Sequence, residues 1–255
     1  MPTPRSAPGG RRHRLIVFLK EPRPGQVKTR LGAALGLRAA ADVYRALLRD
    51  TLTWVAKLTK DPHYEIELHF APREASPDWL RAYVPAAPTG AWLAVPQPPG
   101  DLGRRLRSAF LGAFRRGAKS VCAVGTDCPR LGAQLVRQAM DRLRSADVVL
   151  GPARDGGYYL VALRAYRPEI FRGIPWSRSE VLERTVRAAR KAGLMVSFLT
   201  ELDDLDTVED LDAVRQALME RWGSIGRPQS DFPLWTFREL MLGAGARSLR
   251  SARRR

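Results

Sequence analysis

Residues 15–32 read LIVFLKEPRPGQVKTRLG, and this stretch changes character abruptly after its fifth residue. LIVFL has the length and composition of a short buried strand. The loop that follows combines two prolines, one glycine and four cationic side chains. From residue 37 to residue 58 apolar side chains recur at helical spacing, which predicts a long amphipathic helix. A strand, a loop and a helix in this order are the start of a βαβ unit.

The same alternation continues through the rest of the chain. Residues 65–70 alternate, with Ile66, Leu68 and Phe70 on one face, which predicts a half-buried strand. Further strands are predicted at 92–95, 120–124, 148–150, 158–163 and 195–199, and further helices at 102–116, 131–143, 180–192 and 208–221. After residue 223 the periodicity is lost, apart from residues 234–242. Interleaved strands and helices predict a single α/β domain with a mainly parallel, twisted sheet and helices on both faces.

The length of 255 residues suits one such domain. We expect it to span residues 14–222, between a basic disordered tail at 1–13 and a C-terminal appendage at 223–255 with a basic end. No apolar run approaches the roughly 18 residues of a membrane span, and no signal-peptide core follows the N-terminus. We therefore expect a cytoplasmic protein. Its two cysteines, Cys122 and Cys128, predict buried, reduced thiols rather than a disulfide or zinc site.

The formal net charge is +17, which raises nucleic acid as a partner. Four arginines in residues 1–14 and five in residues 244–255, neither stretch containing an acid, account for nine of these charges. The excess is therefore concentrated at the two ends of the chain, and a specific nucleic-acid site is not expected. The remaining +8 favours an anionic small ligand. A basic nucleic-acid-binding protein remains the alternative outside enzymes.

The loop after the first strand is the first candidate site. Its cations Lys20, Arg23, Lys28 and Arg30 lie around Gly25, and Thr29 opens the next helix. Cationic side chains beside the free N–H groups of a helix start suit the phosphates of a nucleotide. The loop is neither a Walker A sequence nor GxGxxG. The alternative is a basic surface loop without a ligand.

The segment GDLGRRL at 100–106 offers two interpretations. Asp101 either caps the helix that follows or contributes to a nucleotide site. Gly100 and Gly103 would equally allow the backbone to approach a ligand closely.

Two carboxylates follow neighbouring strands in the sequence. Asp127, in VGTDCP, is placed to hold Mg²⁺ or Mn²⁺ on nucleotide phosphates, or to cap the next helix. Asp155, in GPARDGGYYL, would lie beside Asp127 if their two strands are neighbours. Paired carboxylates at strand ends suit metal binding and general-base chemistry, so both are candidate catalytic residues.

LDDLDTVEDL at 202–211 concentrates acidic residues in a basic chain. Thr207 and Asp210 have the spacing of a capping box, which leaves Asp204 and Asp206 as candidate metal ligands. A further group of residues would line an acceptor pocket, although a turn, helix capping and core packing are the simpler explanations for them: Gly156, Gly157, Tyr158, Trp176 and Ser177.

In their order and spacing, these motifs resemble a bacterial family of glycosyltransferase-A-like proteins, some labelled arsenosugar-biosynthesis glycosyltransferases. The family is similar to phospholactate guanylyltransferases and molybdopterin nucleotidyltransferases. The resemblance covers residues 15–221 and rests on six motifs: KEPRPGQVKTRL, GDLGRRL, GTDCP, GPARDGGYYL, PWS and DDLDTVEDL.

The resemblance implies a nucleotide-diphospho-sugar transferase fold. It also implies that Lys20, Lys28 and Arg30 bind phosphates, that Asp127 binds metal, and that Asp204 or Asp206 supplies a second metal contact. One departure is that Asp127 stands in GTD rather than in a full DxD motif.

These observations together predict a transferase that uses Mg²⁺ or Mn²⁺ and takes a nucleotide donor and a small-molecule acceptor. Glycosyl transfer from an NDP-sugar is the first expectation. Nucleotidyl transfer from an NTP to a phosphorylated small acid, with release of pyrophosphate, is the alternative. A family member that binds nucleotide without turnover is a third.

Overall fold

The computed structural model describes residues 12–83, 92–176, 178–225 and 233–243. Most element boundaries lie within about two residues of those expected from sequence. The strands are β1 His13–Lys20, β2 Tyr64–Ala71, β3 Trp92–Pro96, β4 Ser120–Val124, β5 Val148–Pro152, β6 Tyr158–Leu163 and β7 Val196–Phe198. The helices are α1 Thr29–Leu35, α2 Leu37–Leu58, α3 Leu102–Arg115, α4 Ala133–Arg142, α5 Val181–Lys191, α6 Val208–Ile225 and α7 Leu234–Leu242. Two short 3₁₀ helices lie at Pro77–Ala82 and Pro168–Phe171.

Within the described residues the strands form one seven-stranded sheet in the order β3-β2-β1-β4-β6-β5-β7. β6 runs antiparallel to both of its neighbours, and the other pairings are parallel. The mainly parallel sheet expected from sequence is therefore confirmed. However, β4 and β5 are not neighbours, because β6 folds back after a tight turn and inserts between them. The premise that placed Asp155 beside Asp127 was wrong.

Helices cover both faces of this sheet. Apolar side chains of α2 and α4 pack on one face, around Leu15 and Val17 of β1. Those of α3 and α5 pack on the other face, around Ile16. Both cysteines are buried and unpaired, as expected.

β2 is buried on both faces, so its expected half-buried character was wrong. Two of the three polar residues of its second face, Glu67 and His69, are almost completely buried, whereas the Glu65 side chain is 41% exposed. Glu67 accepts hydrogen bonds from Arg14 at 2.8 Å and from Arg116 at 2.6 Å, and His69 Nε2 lies 2.8 Å from its second oxygen. Burial by itself would raise the pKa of Glu67, but the bonds from His69 and Arg116 lower it to about 2. The polar positions of this alternating sequence therefore belong to a buried ionic network and not to a solvent-exposed face.

The C-terminal part of the chain contributes α7, which packs against α2. Asp50 of α2 accepts hydrogen bonds from the first backbone N–H groups of α7, at Trp235 and Thr236. The expected division at residues 13 and 222 stays a prediction, since most of the first tail and residues 226–232 and 244–255 lie outside the described residues. No helix in the described part of the chain is long and apolar enough to cross a membrane.

Candidate functional site

A cavity of about 950 Å³ opens at the carboxyl ends of β1 and β4 and beside the turn between β5 and β6. Ligands of open α/β sheets bind at this edge. The cavity brings together most of the residues singled out from sequence: Lys20, Lys28, Thr29, Arg30, Asp127, Asp155, Gly157, Tyr158, Trp176, Asp204 and Asp206.

Lys28 lies at the centre of the polar part of the cavity. It precedes α1 in a left-handed backbone conformation, with φ of 47°, which is uncommon for a side-chain-bearing residue. Its side chain is 2% exposed and forms ion pairs with Asp127 and, at 2.7 Å, with Asp206. Burial would lower the pKa of Lys28, but the two carboxylates raise it above its usual range. The ammonium group is therefore held in its charged form.

The acidic segment reaches Lys28 because it follows the end of the sheet. Residues near Leu202 pair with the end of β5, where Leu202 N donates to Pro152 O at 3.1 Å. Three residues later, Leu205 N donates to the backbone carbonyl of Asp127 at 3.0 Å. Asp206 therefore lies beside the loop that carries Asp127. Burial would raise the pKa of Asp206, but Lys28 keeps it below its ordinary value.

The capping box expected in the acidic segment is confirmed. Asp210 N donates to Thr207 Oγ1 at 3.2 Å, and Thr207 N donates to Asp210 Oδ2 at 2.7 Å. Asp204 takes no part in this cap. Burial, with the charges of Asp155 and Asp206, raises its pKa to about 6.

Asp155 lies in the turn between β5 and β6. It lines the cavity although β5 does not pair with β4. Its Oδ1 accepts the backbone N–H of Gly157 at 2.8 Å, so the second oxygen remains free of this contact. Gly156 has a φ of +86°, and a Cβ there would lie 2.0 Å from the carbonyl oxygen of Ser179. The turn therefore fits only glycine at this position and packs directly on the segment that precedes α5.

Three expected members of the phosphate site do not line the cavity. Arg23 is exposed and pairs with Glu21 at 2.6 Å, and Gly25 lies at the outer turn of the loop with φ of +81°. Asp101 is an N-cap: its carboxylate accepts the backbone N–H of Arg104 at 2.7 Å. A helix cap explains Asp101 because its oxygen serves a donor that lacks an intrahelical partner. Lys20, Thr29 and Arg30 do line the cavity.

Trp176 forms one wall of the cavity, and its expected place in an acceptor pocket stays a prediction. Its indole packs over the start of α3, where a Cβ on Gly103 would lie 2.2 Å from Trp176 Nε1. Gly103 therefore makes room for Trp176 rather than for a ligand. Tyr158 meets the indole edge to face, with ring centroids 6.4 Å apart. Ser177 lies outside the described residues, and Gly156 supports the wall from behind.

Sequence reasoning missed several residues of the cavity, and two of them, Tyr44 and Arg178, bear on its chemistry. Tyr44 of α2 accepts the backbone N–H of Lys20 at 2.8 Å and a hydrogen bond from Thr126 at 3.2 Å, which ties the ends of β1 and β4 together. It occupies an apolar helical position and cannot be told from core by spacing. Arg178 follows Trp176 and lines the cavity from the same segment. The PWS motif drew attention to its neighbours but not to Arg178.

The donor set fits a hard divalent cation. Asp127 and Asp206 converge on one cationic group, and Mg²⁺ is usually held by one or two carboxylates together with substrate phosphates. Among the described residues, no three His, Cys, Asp or Glu side chains are arranged as a complete metal cluster. A cation here would therefore need further donor atoms from water or from a ligand.

Known proteins support the assignment of the fold. The family model described as an uncharacterized protein conserved in bacteria (DUF2064) matches residues 54–178. A provisionally assigned nucleotide-diphospho-sugar transferase from Desulfovibrio desulfuricans G20 is 32% identical, with a TM-score of 0.76, over 91% of this chain and 97% of its own. A 4-diphosphocytidyl-2C-methyl-D-erythritol synthase from Anaerococcus prevotii is 13% identical and shares only the fold, with a TM-score of 0.53 over 83% of this chain and 100% of its own.

No curated protein sequence matches the chain significantly. The solved relative above 30% identity, almost all of which is covered, confirms the resemblance expected from the motifs. The chain therefore belongs to the same family as the D. desulfuricans protein and has the nucleotide-diphospho-sugar transferase fold.

Proposed function

We propose that this protein is a metal-dependent transferase with a nucleotide donor, and specifically a glycosyltransferase that moves a sugar from an NDP-sugar to a small acceptor. The observation that carries the proposal is the convergence of Lys28, Asp127 and Asp206 in a cavity at the carboxyl end of the sheet. Similarity to the D. desulfuricans protein supports the donor class.

The diphosphate of the donor would lie against Lys20, Lys28 and Arg30. Lys20 and Arg30 line the cavity and also help to lower the pKa of Asp206, so their charges act on the same carboxylate as the charge of Lys28. Charge-assisted hydrogen bonds from such groups stabilise the negative charge that develops on a diphosphate leaving group. Mg²⁺ or Mn²⁺, held by Asp127 and Asp206 with Asp204 nearby, would supply further charge neutralisation on the phosphates.

Asp155 is the proposed general base. Gly157 fixes one of its oxygens, and the other is available to take the proton of an acceptor hydroxyl. The hydroxyl oxygen then bonds to the anomeric carbon, the bond from that carbon to the diphosphate oxygen breaks, and its electron pair leaves with the NDP. Trp176 and Tyr158 form the wall against which the acceptor is positioned.

Product analysis tests the proposal and separates it from nucleotidyl transfer. The protein is incubated with Mn²⁺, a panel of NDP-sugars or NTPs, and a mixture of small hydroxyl compounds. Release of NDP from an NDP-sugar, lost in Asp155→Asn, is the expected result. Release of pyrophosphate from an NTP without release of NDP from any sugar donor would replace glycosyl transfer with nucleotidyl transfer.

A further inference from the structure

The cavity has two chemically different parts. The ionic part contains the charged groups around Lys28. The other part lies on the α3 side of the sheet and is apolar and aromatic; it is lined by Phe18, Leu102, Leu106, Ala123, Tyr158, Val161 and Trp176. Two arginines also line the cavity: Arg105 is next to Leu106 in the sequence, and Arg178 follows Trp176 by two residues. An apolar surface with a few convergent polar groups is typical of a small-molecule site.

Of these two arginines, Arg178 is the one that remains available. Arg105 donates to the carbonyl oxygen of Gly100 at 3.0 Å and to Gln97 Oε1 at 3.1 Å, so its groups are used within the protein. Arg178 is exposed, and within the described part of the chain its side chain has neither an ion-pair partner nor a hydrogen-bond partner.

The backbone on either side of Arg178 is anchored. Two residues before it, the Trp176 indole fills the space above Gly103 of α3, and one residue after it, the Ser179 carbonyl packs against Gly156. Leu182 N also donates to Gly156 O at 2.9 Å. These contacts hold Trp176 and Ser179, described residues that precede and follow Arg178, against two elements.

The charge balance of the cavity favours an anionic second ligand. Among the residues that the structure describes, five cationic side chains (Lys20, Lys28, Arg30, Arg105 and Arg178) and four acidic ones (Asp127, Asp155, Asp204 and Asp206) line it. A divalent cation and the diphosphate of an NDP-sugar cancel each other's charge. The remaining excess is positive, and Arg178 lies outside the loop after β1 that carries Lys20, Lys28 and Arg30.

We propose that the acceptor carries a carboxylate or phosphate group, which Arg178 binds, beside an apolar or aromatic body that packs on Trp176 and Tyr158. This inference rests on the proposed function, because it names the acceptor class of the same cavity. The shared chemistry is an anion attached to an apolar body, and both kinds of anion fit a guanidinium.

Isothermal titration of the full chain with three probes tests the inference: phenyl phosphate, benzoate and uncharged benzyl alcohol. The variants are Arg178→Met, Lys28→Met and a matched control, Arg172→Met, which removes an exposed arginine of the same segment that does not line the cavity. Nucleoside diphosphates with Mn²⁺ are titrated into every variant in parallel.

We expect wild-type protein to bind at least one anionic probe more tightly than benzyl alcohol. Arg178→Met should weaken that anion at least tenfold, which corresponds to about 1.4 kcal/mol, while nucleoside diphosphate affinity stays within twofold. Arg172→Met should match wild type. Lys28→Met should show the reverse pattern, with weakened diphosphates and retained benzoate. The relative affinities of phenyl phosphate and benzoate then distinguish a phosphorylated from a carboxylated acceptor.

Three results would overturn the inference: no preference of wild-type protein for the anionic probes, equal effects of Arg178→Met and Arg172→Met, or weakened nucleoside diphosphate binding in Arg178→Met. The last result would assign Arg178 to the donor. Failure of wild-type protein to bind any nucleoside diphosphate would instead contradict the proposed function, so the two failures are distinguishable.

Discussion

Lys28 Nζ lies 2.7 Å from Asp206 Oδ1, although 178 residues separate the two in sequence. The contact joins the loop after the first strand to the acidic segment before α6, and Asp127 completes it from the loop after β4. A buried ammonium group between two half-exposed carboxylates is costly unless its neighbours compensate its charge. The arrangement suits a site in which a metal ion takes the two carboxylates as ligands and the ammonium group pairs with phosphate oxygens instead.

Replacement of Lys28 tests the phosphate role. Lys28→Met should weaken nucleoside diphosphates at least tenfold and leave the corresponding nucleosides within twofold, because only the diphosphate uses the ammonium charge. Isothermal titration measures both. Arg23→Met is the matched control, since Arg23 belongs to the same loop but pairs with Glu21 outside the cavity. An equal loss for nucleosides and diphosphates would contradict the assignment.

Asp127 tests the metal role. Asp127→Asn should remove the increase in Tm that Mn²⁺ adds to nucleotide binding. The Tm of the ligand-free protein should also fall, because Asp127 compensates the buried charge of Lys28, so the increase is measured relative to each variant's own ligand-free Tm. Asp203→Asn is the control, since Asp203 lies in the acidic segment but pairs with Arg154 at 2.9 Å and does not line the cavity. A retained Mn²⁺ effect in Asp127→Asn would exclude this carboxylate as a ligand.

The close contact between α3 and Trp176 makes Gly103 a sensitive position. Gly103→Ala should lower the free energy of unfolding by about 1–3 kcal/mol and displace the indole, because the new methyl group would overlap it. Gly112→Ala, on the same helix, would place a methyl group 3.1 Å from the Arg116 guanidinium, which also donates to Glu67, and should cost less than Gly103→Ala because a slight shift of this group removes the close contact. Urea unfolding with tryptophan fluorescence compares them. Equal stabilities would mean that Trp176 adjusts without cost.

Glu67 predicts a particular acid sensitivity. Its pKa is about 2 in the folded protein and near 4.5 when unfolded, so the charged carboxylate contributes about 3 kcal/mol above pH 5. This contribution is lost as the pH falls from about 4.5 towards 2. The difference in unfolding free energy between wild type and Glu67→Gln should therefore be largest at neutral pH and shrink below pH 4.5. Glu65→Gln, half exposed, should cost under about 1 kcal/mol. A pH-independent difference for Glu67→Gln would contradict the ionic network.

Sequence periodicity was sufficient to predict the elements but not their neighbours. Residues 37–58 and 158–163 have the expected bounds, because local spacing determines a helix or a strand. The insertion of β6 between β4 and β5 depends on the turn at Gly156 and on sheet packing, which local spacing does not record. The burial of Glu67 was not predicted for a similar reason, since its partners Arg14 and Arg116 are 53 and 49 residues away in the sequence.

The polar residues of the site likewise include some that the sequence indicated and some that it did not. Asp127, Asp155 and Asp206 follow recognisable strand ends or an acidic motif, so the sequence alone indicated them. Asp101 was ambiguous, because a cap and a ligand site use the same residue type at a helix start. Tyr44 and Arg178 could not be predicted, since an apolar helix position and one arginine among many carry no distinctive pattern.

Thermal unfolding with and without Mn²⁺ tests the central claim most directly. Wild-type protein and Lys28→Met are each heated with NDP-sugars, NDPs and NTPs, since a ligand that binds only the folded state raises the Tm. The account predicts a Tm increase with at least one NDP-sugar that requires Mn²⁺ and is lost in Lys28→Met. An unchanged Tm with every NDP-sugar would contradict the account. An increase that persists when Mn²⁺ is omitted and Lys28 is replaced would contradict it as well.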